Sequence, residues 1–90
     1  MIKAEVFEQV NAELVRVKAV EDARLYALYF NEESGNLENV HLSDGIRALA
    51  EQYGAEVTVK DVAGYEQYQC HVGDVLYSQS VPHQRDDDAD

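Results

Sequence analysis

Ile46, Leu49, Ala50 and Tyr53 recur at i, i+3, i+4 and i+7, with Arg47 and Glu51 between them, the spacing of a helix that buries one stripe. Ser43 stands as an N-cap, Asp44 suits the positive end of the dipole, and Gly54 falls where a C-terminal left-handed residue belongs, so a helix is predicted over residues 44–53. A second helix is predicted over residues 3–13. There Phe7, Val10 and Leu14 line one stripe, and Glu5, Glu8, Gln9 and Glu13 occupy the rest of the wheel. Ile2, Ala4 and Val6 also alternate, which leaves a leading strand as the alternative.

The remaining segments alternate with the period of strands. Residues 14–20 are rich in Val, Glu21-Asp22 reads as a turn, and residues 23–30 form a second strand of the same hairpin. Ser34-Gly35-Asn36 marks a loop before a third strand over residues 37–42. Pairing Phe30 with Leu37 puts Leu25, Ala27 and Tyr29 on one face with Val40 and Leu42, and Tyr26, Leu28 and Phe30 on the other with Leu37, Asn39 and His41. Beyond Gly54, residues 55–62 alternate through Val57 and Val59 until Ala63-Gly64. Residues 65–72 and 75–81 then flank Gly73-Asp74 as a two-residue hairpin, with Tyr68, Cys70, Val72, Val75, Tyr77 and Val81 inward and the opposite face solvated. The prediction is a single α+β domain over residues 1–82. Its order is helix, three strands, helix, three strands, with both helices packed on an antiparallel sheet. After Pro82 the chain is too polar to offset ordering entropy, so residues 83–90 are expected to be a disordered acidic tail.

Charge changes this picture more than size does. The chain holds 18 Asp and Glu against 7 Lys and Arg, a net charge of −11 over 90 residues. The tail accounts for four of those acids and one base, which leaves 14 acids, 6 bases and −8 in residues 1–82. Such a surface repels nucleic acid and anionic membranes and attracts basic surfaces. The first residues run into Glu5 and Glu8 without an apolar segment, and no run approaches the ~18 residues that span a bilayer, so a cytoplasmic protein is expected. Cys70 is the one cysteine, and it has no partner for an internal disulfide.

No catalytic signature stands out. Cys70 and His71 are neighbours on a strand and point to opposite faces, so they cannot share a proton. His41, His71 and His83 have no recognised ligand spacing with Cys70 or Asp44, and the glycines are isolated rather than arranged as a phosphate loop. A carboxylate near His41, such as Asp44, arises by chance in so acidic a chain. A protein without enzymatic activity, cofactor or metal is expected.

The carboxylates themselves form the candidate binding set: Glu5, Glu8, Glu13, Glu21, Asp22, Glu32, Glu33 and Glu38, anchored by an apolar group of Tyr26, Leu28 and Phe30 with Leu37. Helical carboxylates three residues apart stand about 5–6 Å apart at Cβ, and one DNA strand presents a phosphate every ~3.4 Å. Gathered carboxylates therefore imitate part of a nucleic-acid field. In size and charge the chain resembles short acidic phage or mobile-element proteins that block restriction enzymes, CRISPR effectors and other nucleic-acid machines. That resemblance implies an inhibitor whose partner is a basic nucleic-acid-handling protein. The alternative is a salt-adapted accessory domain whose charge is a solvated coat, with a homodimer through the sheet.

Overall fold

One continuous helix, α1 (Ala4–Lys18), occupies the segment that the sequence divides between a helix and a strand. This computed structural model describes residues 4–82. The expected tail at residues 83–90 and the start of the alternative leading strand lie outside them. Burial of the stripe that includes Val17 overrides the weak β-preference of Val15 and Val17. Val6, Glu13 and Val17 recur at i, i+7 and i+11 and are buried, while Phe7 and Leu14, on the expected inner stripe, stay exposed. No hairpin joins residues 14–20 to residues 23–30. Instead Ala19 N–H bonds to Val15 O at 3.0 Å and Ala23 N–H to Val20 O at 3.1 Å, a tight exit that buries Val20 and Ala23.

Five strands follow rather than six: β1 (Arg24–Phe30), β2 (Leu37–Asp44), then helix α2 (Ile46–Tyr53), β3 (Thr58–Val62), β4 (Tyr65–Val72) and β5 (Val75–Pro82). They form one sheet in the order β1-β2-β5-β4-β3, antiparallel except for the parallel β2–β5 pair at its centre. The α+β class holds, with two local antiparallel units joined by that parallel ladder. Helix α1 contacts β1 and β2, helix α2 contacts β4 and β5, and both contribute to one core with Val40, Leu42, Cys70 and Tyr77. Among the described residues, the far face of the sheet has no helix over it.

The β1–β2 ladder corrects the expected faces. Two pairs, Phe30 opposite Leu37 and Leu25 opposite Leu42, are in the expected register, whereas the terminal pair Arg24 opposite Asp44 is one residue out. Between them the strands have slipped by one residue, so Leu28 faces Val40, Ala27 faces His41 and Tyr29 faces Asn39. Irregularities at Glu38 on β2 and Tyr26 on β1 absorb and restore the shift, and a third at Ser43 on β2 moves the register again at Arg24. The slip sends Leu28 to the core and the tyrosines out, because a one-residue change of register exchanges faces. The group of Tyr26, Leu28, Phe30 and Leu37 is thereby split. Leu37 is buried and Leu28 packs on the core, whereas Tyr26 sits beside His41 with ring centroids 5.5 Å apart.

The start of α2 also differs. Strand β2 runs to Asp44, so Ser43 is a strand residue, whose hydroxyl lies 3.5 Å from Arg24 O, and does not cap the helix. Gly45 is the N-cap instead, at φ +86. The capping acceptor comes from β5: Ile46 N–H donates to Oε1 of buried Gln79 at 2.9 Å. Gly54 ends α2 as expected, at φ +66. Residues 55–57 connect to β3, with Ala55 N–H on Ala50 O at 2.8 Å.

Candidate functional site

Sequence order scatters the carboxylates, and the fold sorts them into two ends. Gln9 on α1 accepts the Leu37 N–H at 3.1 Å, which ties the first half of the helix to the β1–β2 hairpin. Glu5 and Glu8 therefore share an end of the molecule with Glu32, Glu33 and Glu38. The hairpin loop is held by Asn31, whose Oδ1 accepts the N–H groups of Glu33 and Ser34 at 2.9 Å each, and whose Nδ2 donates to Glu38 Oε1 at 3.2 Å. Among the described residues, none of these five carboxylates is in an ion pair. Glu21 and Asp22 lie at the opposite end of α1, about 22 Å along its axis. With Glu51 of α2 they line a shallow groove of 570 Å³.

Glu13 does not belong to the surface set. It is only 5% exposed, set between α1 and β5, where the Tyr77 hydroxyl donates to its Oε1. Arg16 Nε approaches the same oxygen at 3.1 Å as an ion pair whose angle is not that of a hydrogen bond. The Arg16 guanidinium also lies over the Tyr53 ring at 5.7 Å, and the Tyr53 hydroxyl donates to Arg16 O at 3.0 Å. A carboxylate one turn from Arg16 on the helix and opposite a strand tyrosine is thus a structural tie. Helical periodicity places Glu13 on the stripe of Val6 and Val17, a signal legible in the sequence once α1 is continued to Lys18.

Burial, and next the hydrogen bond and charge of Glu13, push the Tyr77 hydroxyl far above its ordinary 10.0. Burial likewise raises the Cys70 thiol above 9.0. A raised folded value means that the native state keeps a proton which the unfolded chain releases, so this stability is complete below pH 9 and is lost as pH climbs. Unfolding free energy is expected to fall above pH 9–10, by at most about 1.4 kcal/mol per pH unit for each group. Urea titrations between pH 8 and 11 check this. Tyr77→Phe should flatten the upper part of the curve, and parallel curves for the two proteins would contradict the assignment.

The open face of the sheet carries a different chemistry. Its rows read Tyr29-Asn39-Leu76-His71, Ala27-His41-Ser78-Gln69-Thr58 and Ser80-Gln67-Lys60 across the strands. These rows hold no carboxylate, and Lys60 is their one full charge. The Ser78 hydroxyl donates to Asn39 Oδ1 at 3.2 Å, and with its proton so placed it accepts from His41 Nδ1, also at 3.2 Å. His41 is flanked by Tyr26 and Tyr29. Ser78 is 2% exposed, so the pair is a buried polar tie across β2–β5. Cys70 points into the core opposite Tyr77 while His71 is exposed on the other face, as their alternation requires. His41 and His71 stand two strands apart, roughly 10 Å. Among the described residues, no group of three or more His, Cys, Asp or Glu side chains is placed to hold a metal ion.

Comparison with protein-family models, curated proteins and solved structures finds no match to this chain. The site must therefore be read from its own geometry. No helix of the described residues is long and apolar enough to cross a membrane.

One cavity of 240 Å³ lies where α2 begins, lined by Ile46, Arg47, Tyr68, Gln79 and Val81 among others. Arg47 stacks over Tyr68 at 5.0 Å, and the Tyr68 hydroxyl donates to Glu66 at 3.1 Å. Sequence pattern marks Arg47 merely as solvent-facing and gives no sign of Gln79 as a cap, since that contact joins residues 33 positions apart.

Proposed function

We propose that the protein acts without catalysis, as an acidic ligand for a basic protein surface of the kind that handles nucleic acid. The observation that carries this reading is the Gln9–Leu37 hydrogen bond, which sets the half of α1 bearing Glu5 and Glu8 at the hairpin end that carries Glu32 and Glu33 of the loop and Glu38 of β2, none of them in an ion pair among the described residues. All five are exposed, and Asn31 holds the Glu38 carboxylate and the loop backbone at Glu33 and Ser34 before any partner arrives. Such ordering lowers the entropy lost on binding. Convergent negative charge also speeds encounter with a basic groove and makes the complex salt-sensitive. Tyr26 and Phe30 flank the neighbouring β1 edge as apolar anchors, while Glu13 has no part in contact with a partner and Leu28 mostly supports the core.

The test is affinity capture from the native host, using the full chain as bait, followed by stepwise salt elution and mass spectrometry. Basic nucleic-acid-handling proteins should be retained, released well before ~1 M salt, where the Debye length is ~3 Å, and displaced by added duplex DNA or RNA. The triple variant Glu32→Lys, Glu33→Lys, Glu38→Lys should lose at least about tenfold of that retention, equivalent to about 1.4 kcal/mol. Equal retention by wild type and variant would refute the reading.

A further inference from the structure

Among the described residues, exposed apolar surface is concentrated on α1 and the neighbouring edge strand β1. Of the large hydrophobic side chains exposed among the described residues, all but Val59 lie on α1 or β1: Phe7, Leu14, Val15, Leu25, Tyr26, Tyr29 and Phe30. Phe7 is 57% exposed and Tyr26 70%. On a helix of 3.6 residues per turn, Phe7 and Leu14 project about 160–180° away from Arg16. Arg16 faces Tyr53 of α2, so Phe7 and Leu14 face the other way, beyond the β1 edge of the sheet. The stripe expected to be the inner face of α1 is left uncovered there by the single chain.

Charge on this flank runs against the rest of the protein. The arc of α1 that holds Phe7 and Leu14 continues through Asn11 and Lys18 to Ala4 and Val15 without a carboxylate. Strand β1 reads Arg-Leu-Tyr-Ala-Leu-Tyr-Phe, with Arg24 as its one charge. The opposite edge, β3, is defended in the usual manner by mid-strand charges at Lys60 and Asp61. Edge strand β1 has only the irregularity at Tyr26.

We infer that the α1–β1 flank is a self-association surface, covered by a second copy of this chain in an antiparallel, two-fold arrangement that packs Phe7 of one copy against Leu14 of the other. Two chains of charge −11 repel over most approaches, and this flank combines apolar cover with an absence of acid. A two-fold axis near Asn11 places Lys18 of each helix beside the partner's first two turns, which carry Glu5 and Glu8. The antiparallel strands likewise bring Arg24 toward the partner's Glu32 and Glu33. Neither Lys18 nor Arg24 has an ion-pair partner among the described residues. The same patch is therefore self-complementary, as an isologous interface requires. A basic partner gains nothing from Lys18 and Arg24, and because it draws on the same Glu32, Glu33, Tyr26 and Phe30 it competes with the second copy for this flank.

Sedimentation equilibrium of the full chain from about 1 µM to 1 mM, in 0.1 M and 1 M NaCl, tests this. A monomer–dimer equilibrium is expected that tightens with salt, because screening relieves net repulsion; the proposed hetero-complex weakens with salt, so the two ideas fail separately. Phe7→Glu should raise the dimer Kd at least about tenfold. Circular dichroism monitors its fold, and Asn11→Glu, at an exposed position on the axis, provides a second disruption that leaves the core alone. Val59→Glu on the far edge should change nothing. A chain that stays monomeric to 1 mM at both salt concentrations overturns the inference. So does a dimer indifferent to Phe7→Glu and Asn11→Glu, or one broken by Val59→Glu.

Discussion

Gly45→Ala is expected to lower the unfolding free energy by about 3–5 kcal/mol, a large share of the roughly 5–15 kcal/mol that stabilises an ordinary domain. A β-carbon at Gly45 would stand 2.4 Å from Asp22 O and 2.5 Å from Ala23 Cα. Both are backbone atoms in the tight exit from α1, and they cannot swing aside as a flexible side chain can. Overpacking of this kind costs about 1–3 kcal/mol, and a non-glycine residue at φ +86 costs about 1–3 more. Gly35 is the control, since it has φ +76 but nothing within 4 Å of the place a β-carbon would take. Gly35→Ala should therefore show the backbone component alone. Urea midpoints for the two variants decide the matter: equal losses would mean that the contact between the α1 exit and the start of α2 contributes nothing.

Glu13→Ala comes next, with an expected loss of about 3 kcal/mol. The cost arises less from the ion pair itself than from what its removal strands. Tyr77 is fully buried, so without Glu13 its hydroxyl has no acceptor, and Arg16 loses its counter-charge. Tyr77→Phe should cost about 2 kcal/mol for the converse reason, because it leaves the carboxylate with Arg16 alone. The double variant Glu13→Leu with Tyr77→Phe replaces both partners of the buried hydrogen bond by apolar groups and should be more stable than the sum of the Glu13→Leu and Tyr77→Phe losses by at least about 1 kcal/mol. Additive losses in chemical denaturation would show that the two side chains act independently.

Local patterns carried the C-terminal half well. The alternation through Tyr68, Cys70 and Val72 and the turn at Gly73-Asp74 predict the β4–β5 hairpin and its inner face, and the pairs Cys70–Tyr77 and Val72–Val75 are formed, whereas the opposite face, expected to be solvated, buries Ser78. Gly54 closes α2 where its position indicates. The N-terminal half was less legible because long-range burial decided it. Val15 and Val17 read as strand until Val6 and Glu13 are seen to continue one buried stripe. The three irregularities in β1–β2 leave Phe30–Leu37 and Leu25–Leu42 in register, so pairing from the hairpin loop does not reveal the slip between them. Glu13 counted among the surface acids for want of a visible partner, since Tyr77 lies 64 residues away. Gathering of Glu5 and Glu8 with Glu32, Glu33 and Glu38 likewise depends on the Gln9–Leu37 bond, which no local pattern announces.

The parallel β2–β5 ladder has a consequence for how the chain folds. It is the seam between two units, α1-β1-β2 and α2-β3-β4-β5, whose own strand pairs are all between sequence neighbours. Each unit can collapse from local contacts, whereas the seam must close a loop of more than thirty residues before Val40 meets Tyr77. Joining the halves is then the late, entropy-limited event in folding. The side chains that secure it, Glu13 with Tyr77 on one face and Asn39 and His41 with Ser78 on the other, act as a latch that makes two locally formed halves unfold as one.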